Sequence, residues 1–215
     1  MGSTARPEGA GITAAAAPSF PEAAILVDAL ARDMLGAERY GHSVRVAAEA
    51  EALFGRYGLD PEAGRLAGIA HDLCKAMDRD ERRSLALGWA ECAREGLHDD
   101  ERISHGPAAA VFLSRRALVL DPAILDAIAW HTVGKPGMSR VAMALYAADK
   151  LEPGRSAWRA DTRRDYAAGL FDGEGGLERL VADLAKGSVE HVRSRGWAVA
   201  PGTLILYNAL TGKNL

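Results

Sequence analysis

Cysteine, aromatic side chains, basic runs and long apolar stretches are all scarce in this 215-residue chain, and each shortage excludes a class of protein. The two cysteines, Cys74 and Cys92, are too few for a disulfide framework. Neither stands in a Cys-x-x-Cys pair or beside a histidine that would suggest a structural zinc site. Both are expected to be reduced core thiols. Aromatics are 6% of the residues and β-branched side chains are sparse, which disfavours sheets and favours helices. The net charge is −3 and no Lys/Arg run is long enough to form a nucleic-acid footprint, so no nucleic-acid partner is expected. Attraction for an anionic ligand then has to be local. No stretch is apolar and continuous enough for a signal peptide or a membrane span, so no membrane partner is expected and the cytoplasm is the expected location. No Gly-x-Ser-x-Gly elbow is present for Ser/His/Asp hydrolysis, and nothing supports Cys74 as a nucleophile.

What remains is a chain with 48% hydrophobic residues, led by Ala and Leu, enough for one sizeable core and too short for two full domains. The expected fold class is all-α. Residues 1–20 read as a disordered N-terminal leader and residues 21–215 as one domain. From Pro21 the apolar residues recur at helical spacing, with Gly36 and Gly58 as stops for the first two helices, the second covering about Arg39 to Tyr57. Asp60-Pro61 and Asp121-Pro122 are cap-plus-proline starts. The first launches a helix predicted to carry His71 and Asp72, the second a helix reaching His131. Asp78 to Gly96 reads as a single charged amphipathic helix, and His105 opens another that runs through Leu118. Ser139 caps a helix ending at Asp149-Lys150, and further helices are predicted over Trp158–Leu170, Leu177–Ser194 and Thr203–Leu210.

The chemistry shows as ionisable residues embedded in apolar text. His71-Asp72 interrupts the run Leu66-Ala67-Gly68-Ile69-Ala70, and Asp149 ends the run Ala142 to Ala148. A buried carboxylate is expensive unless a cation offsets it, and a divalent metal can bind imidazole nitrogen and carboxylate oxygen together. His42, His105 and His131 each fall near a predicted helix end, where a side chain can project into a cavity between helices. Taken singly, any of them reads equally well as a satisfied core histidine. His98 and His191 lie in charged text and read as surface residues. Trp89, Trp130, Trp158 and Trp197 are given no role, because an aromatic at helical spacing is more often core than ligand platform.

The order His42, His71-Asp72, Asp149 resembles the H…HD…D signature of the HD phosphohydrolase superfamily. The flanking text is closer still to one branch, the symmetrical bis(5′-nucleosyl)-tetraphosphatases. The blocks carrying that likeness are Arg39 to Val46, His71 to Lys75, His131 to Ser139 and Tyr146 to Arg155, with His105 to Ala110 and Tyr207-Asn208 in support. The resemblance implies an HD-domain helical bundle with its metal site in the core. It implies one metal held by His42, His71, Asp72 and Asp149, and a second held by His105 and His131 with Asp72 bridging. It also implies two divalent ions, iron in that branch with manganese or cobalt as substitutes, and a small-molecule dinucleoside polyphosphate as partner. Diadenosine tetraphosphate would be cut at its centre into two ADP by a hydroxide bridging the ions.

Two divalent ions against two aspartates leave a net charge of about plus two, enough to recruit polyphosphate to an acidic chain. Lys75 follows His71 at a spacing that places both on one helix face, and is read with Asp72 as catalytic; its bland reading is a surface partner of Asp78. Lys75, Thr132, Lys135 and Arg155 are the expected substrate contacts. The same ligands would equally serve a mononucleotide nucleotidase, an oxygen-activating di-iron oxidoreductase, or a non-catalytic binding module that kept the fold.

Overall fold

A computed structural model describes residues 17–155 and 160–215. Among them the chain forms only helices and turns. The expected leader falls mostly on residues 1–16, outside the described residues. Its last residue, Phe20, instead opens helix α1 (Phe20–Met34), because Glu22 reaches back to accept from the Ser19 amide and hydroxyl at 2.9 and 2.6 Å and so closes a capping box. Helix α2 (Ala37–Arg56) follows across Gly36, and α3 (Pro61–Ala70) starts where predicted, with the Asp60 carboxylate accepting from the Glu62 amide.

The charged segment after α3 departs from the single predicted helix. It is broken into α4 (Arg79–Ala86) and α5 (Ala90–Arg94), followed by a 3-10 turn at Leu97–Asp99. The break is at Gly88, a poor helix former whose missing side chain leaves room for Val111 and Arg115; a Cβ there would sit 3.0 Å from the Leu85 carbonyl. Helix α6 (His105–Arg115) is buried without interruption from His105 to Leu113. Then come α7 (Pro122–Trp130), capped by Asp121, and α8 (Arg140–Leu151), capped by Ser139. The C-terminal part is α9 (Ala160–Ala167), α10 (Gly176–Ser194) and α11 (Pro201–Thr211). The predicted start of the α9 helix at Trp158 lies outside the described residues.

Helix α8 is the axis of the bundle. Every residue from Ala142 to Leu151 is buried, and the helix packs on α2, α3, α7 and α10. A helix covered all round places whatever charge it carries in the core, and α8 carries Asp149 and Lys150. The crossing of α2 over α3 is equally close: a Cβ on Gly64 would lie 2.7 Å from the Ala50 carbonyl oxygen, and one on Gly68 would lie 2.5 Å from Ala47 Cα. That approach brings His42 on α2 to the end of α3. Gly68→Ala is therefore expected to destabilise the chain by about 3 kcal/mol or more, since backbone cannot yield as a side-chain tip can. Thermal unfolding would read this as a fall of roughly 6 °C or more; an unchanged midpoint would show that the crossing tolerates a wider spacing.

Candidate metal centre

Four helix ends converge beside α2. His71 is not inside α3, as predicted, but caps it, and Asp72 lies in the turn beyond. The His71 ring turns back so that Nδ1–H donates to the Gly68 carbonyl at 2.7 Å, and the backbone continues in tight turns, with Leu73 bonded to Ala70 and Lys75 to Asp72. His131 repeats the device at the end of α7, Nδ1–H donating to the Ile128 carbonyl at 2.8 Å. His105 is the first residue of α6, His42 lies in the second turn of α2, and Asp149 stands near the end of α8.

A carbonyl can only accept, so His71 and His131 carry their protons on Nδ1 and present Nε2 lone pairs inward. His42 does the same, its Nδ1 lying 3.2 Å from the acceptor-only Glu152 carboxylate. In its neutral form, the His42 Nε2 lone pair faces that of His71 at 3.2 Å, with Asp149 Oδ1 3.2 Å from His42 Nε2 and 3.7 Å from His71 Nε2. Lone pairs and carboxylates converging in this way require positive charge among them. Two groups meet the geometry for a metal ion, His42–His71–Asp72 and Asp72–His105–His131, with the ligand atoms of each within 4.8 Å of one another. Asp72 is common to both. Its Oδ2 faces His42 and His71 at 3.9 and 3.7 Å, and its Oδ1 faces His105 and His131 at 3.0 and 3.5 Å, so each oxygen serves one side.

The electrostatics at His71, His105 and the two aspartates suit ligation, while His42 is held toward its protonated form by Asp149. Burial pushes His71 down to about 4 and His105 to about 3, which keeps both imidazoles neutral as a metal requires. Burial alone would raise both aspartates, yet Asp72 among the histidines and Asp149 beside Arg155 are held well below the usual carboxylate range. Burial also pulls on His42, but the Asp149 hydrogen bond and charge outweigh it and hold the ring above its usual value. The donor set of imidazoles and shared carboxylate fits two divalent ions.

Lys75 is half-buried and does not take the expected surface pairing with Asp78. Asp78, its alternative partner, is occupied capping α4 through the Asp80 and Glu81 amides. The Lys75 ammonium instead lies 2.9 Å from His105 Nε2 and 3.6 Å from Asp72 Oδ1, and burial lowers its pKa. Thr132 Oγ1 stands 3.1 Å from His131 Nε2 and 3.2 Å from His105 Nε2. Arg155 bonds Asp149 through both its carbonyl and its carboxylate. Lys135 is placed differently from expectation: its ammonium sits 2.7 Å from both Glu91 and Asp126 and 5.1 Å from the Trp130 ring centroid. A phosphate there would have to displace a carboxylate.

His98 is also more covered than expected, its side chain 12% exposed beside Asp99 at 3.4 Å, and His191 is half-buried. Cys74 and Cys92 are buried and free, with burial raising their thiols to about 12 and about 11.

Three residues beside the centre had no role in the sequence. Glu152, 2% exposed, orients His42 while accepting from the Arg45 guanidinium and the Gly154 amide, each at 2.6 Å. Arg39 and Arg45 flank His42 three residues away on either side, a spacing that puts all three on one face of α2. With Lys75 and Arg155 they line a cavity of about 420 Å³ opening from the centre. Outer-shell carboxylates of this kind typically hold metal affinity up by about 10–100-fold. Glu152→Ala is expected to lose that much in chelator competition, and unchanged affinity would mean that His42 needs no support.

Residues 39–154 match the HD domain family model, a span containing all six candidate ligands. The chain belongs to the HD-domain family. Within that family it is 30% identical over 182 residues to a protein of Bacillus subtilis (strain 168) named bis(5′-nucleosyl)-tetraphosphatase, symmetrical, covering 85% of this chain and 94% of the relative. A protein of the same name from Staphylococcus aureus is 32% identical over 160 residues, 74% of this chain and 80% of the relative. Among solved structures, one from Clostridium acetobutylicum, described as a predicted HD superfamily hydrolase involved in NAD metabolism, superposes with a TM-score of 0.72 at 28% identity, covering 87% of this chain and 96% of that one. Among the described residues no helix is long and apolar enough to cross a membrane.

Proposed function

We propose that the protein is a metal-dependent phosphoanhydride hydrolase that cleaves diadenosine tetraphosphate at its centre into two ADP. The observation that carries this reading is the pair of ligand groups sharing Asp72, opening onto a cavity walled by Arg39, Arg45, Lys75 and Arg155. Two divalent ions bound there would make hydroxide available near neutral pH and neutralise phosphoryl charge. His42, His71, Asp72 and Asp149 would hold one, and His105, His131 and Asp72 the other; iron is the favoured metal, with manganese or cobalt as substitutes.

The chain supplies the rest. Arg39 and Lys75 give the polyphosphate local positive charge despite the net charge of −3, while Arg45 and Arg155 on the same wall are paired with Glu152 and Asp149. The half-buried Lys75 ammonium, held by contacts to Asp72 and His105, is placed to stabilise charge developing on the attacked phosphoryl group. Thr132 and Arg155 are the neighbouring substrate contacts. The buried free thiols Cys74 and Cys92 fit a reducing, cytoplasmic compartment.

A substrate panel tests the reading. Metal-loaded protein is expected to turn over diadenosine tetraphosphate well and to release little inorganic phosphate from AMP or dAMP. Rapid phosphate release from mononucleotides would identify a nucleotidase. Tight nucleotide binding without turnover would identify a binding module.

A further inference from the structure

A second cavity, of about 170 Å³, shares Thr132 with the metal centre and differs in chemistry from the cationic one. Its walls include Ile103, Val133, Val192, Val199 and Trp197, and its one charged lining residue, Arg102, is held by Asp100 in a two-pronged ion pair at 3.0 and 2.7 Å. Trp197 is 53% exposed, with the Arg195 guanidinium over its ring at 5.9 Å from the centroid, and the indole presents apolar surface that a second flat ring could cover. The ring belongs to the connection between α10 and α11, beyond the residues that match the HD domain. Sites enclosing a drug-sized ligand run to roughly 300–1,000 Å³. This smaller space takes a flat ring rather than a whole dinucleotide.

We propose that the cavity between Thr132 and Trp197 is the base subsite for one nucleoside half of the substrate, with the purine stacked on the Trp197 indole. This rests on the dinucleotide hydrolysis proposed above. The phosphates of that half pass Thr132, whose hydroxyl already lies within 3.2 Å of two candidate ligands, and the other half extends along Arg39 and Arg45. The chain therefore grips a symmetrical substrate unsymmetrically, one end by stacking and the other by charge. Base–aromatic stacking is worth enough that truncating the ring is read as a roughly tenfold loss of affinity.

The test uses the full chain loaded with manganese and compares ADP with pyrophosphate by calorimetry. Trp197→Ala is expected to weaken ADP roughly tenfold and leave pyrophosphate unchanged, and Trp197→Phe is expected to restore most of the ADP affinity. Unchanged ADP affinity in Trp197→Ala, or equal weakening of both ligands, overturns the base subsite while leaving the hydrolase reading intact, provided the wild-type chain cleaves diadenosine tetraphosphate. A wild-type chain that cleaves none overturns the hydrolase reading and this subsite with it.

Discussion

Asp72→Ala is expected to purify with neither metal position filled and to lose turnover by at least about a thousand-fold, since the shared carboxylate is the one group facing both clusters. Removing any one histidine leaves the other cluster intact. Removing Asp72 takes an oxygen from each, leaving His105 and His131 with no carboxylate between them and His42 and His71 with Asp149 alone. Elemental analysis of the purified variant checks it, with His98→Ala as the control, because His98 pairs with Asp99 and belongs to neither group. Two tightly bound metals in Asp72→Ala would remove the bridging role. Loss of metal in His98→Ala would mean that the true ligand set is larger.

Lys75→Met should separate chemistry from metal binding. The variant keeps every candidate ligand and most of the side-chain volume but deletes the ammonium 2.9 Å from His105 Nε2. A preorganised charge at the reacting centre is typically worth about 10²–10³-fold in turnover. Metal content near wild type with a fall of that size is the expected result. Normal turnover with normal metal would return Lys75 to the status of a half-buried ion-pair partner of Asp72. Metal loss would make it a support for the ligands. Both quantities must come from the same preparation, because activity alone cannot separate these outcomes.

The sequence carries the site better than it carries the details of the helices around it. Asp72 and Asp149 are visible because each breaks an apolar run, and the structure buries both. The histidines are visible as helix-end residues, and they do lie at or near helix ends. The exact ends are another matter: His71 and His131 cap their helices through ring-to-carbonyl bonds, a local geometry that apolar periodicity does not encode. Gly88 breaks the Asp78–Gly96 segment because of how α6 packs against it, which is a tertiary fact. Glu152 reaches His42 across 110 residues, and Lys135 finds Glu91 across 44, so neither partner is predictable from local spacing. Arg39 and Arg45 were within reach of a sequence argument, since their spacing from His42 fixes the shared helix face. The cavity at Trp197 was not, because its walls come from four separate parts of the chain.

The most direct test of the account is a single reaction of metal-loaded protein with diadenosine tetraphosphate in oxygen-18 water, its products separated and weighed by mass spectrometry. Attack at either central phosphorus with breakage of the central P–O–P bridge, ADP being the leaving group, gives ADP alone, with the label on the terminal phosphate of one ADP in each pair produced. That is the predicted result. AMP and ATP in equal amounts would place the attack at an outer bridge and contradict the symmetrical cleavage.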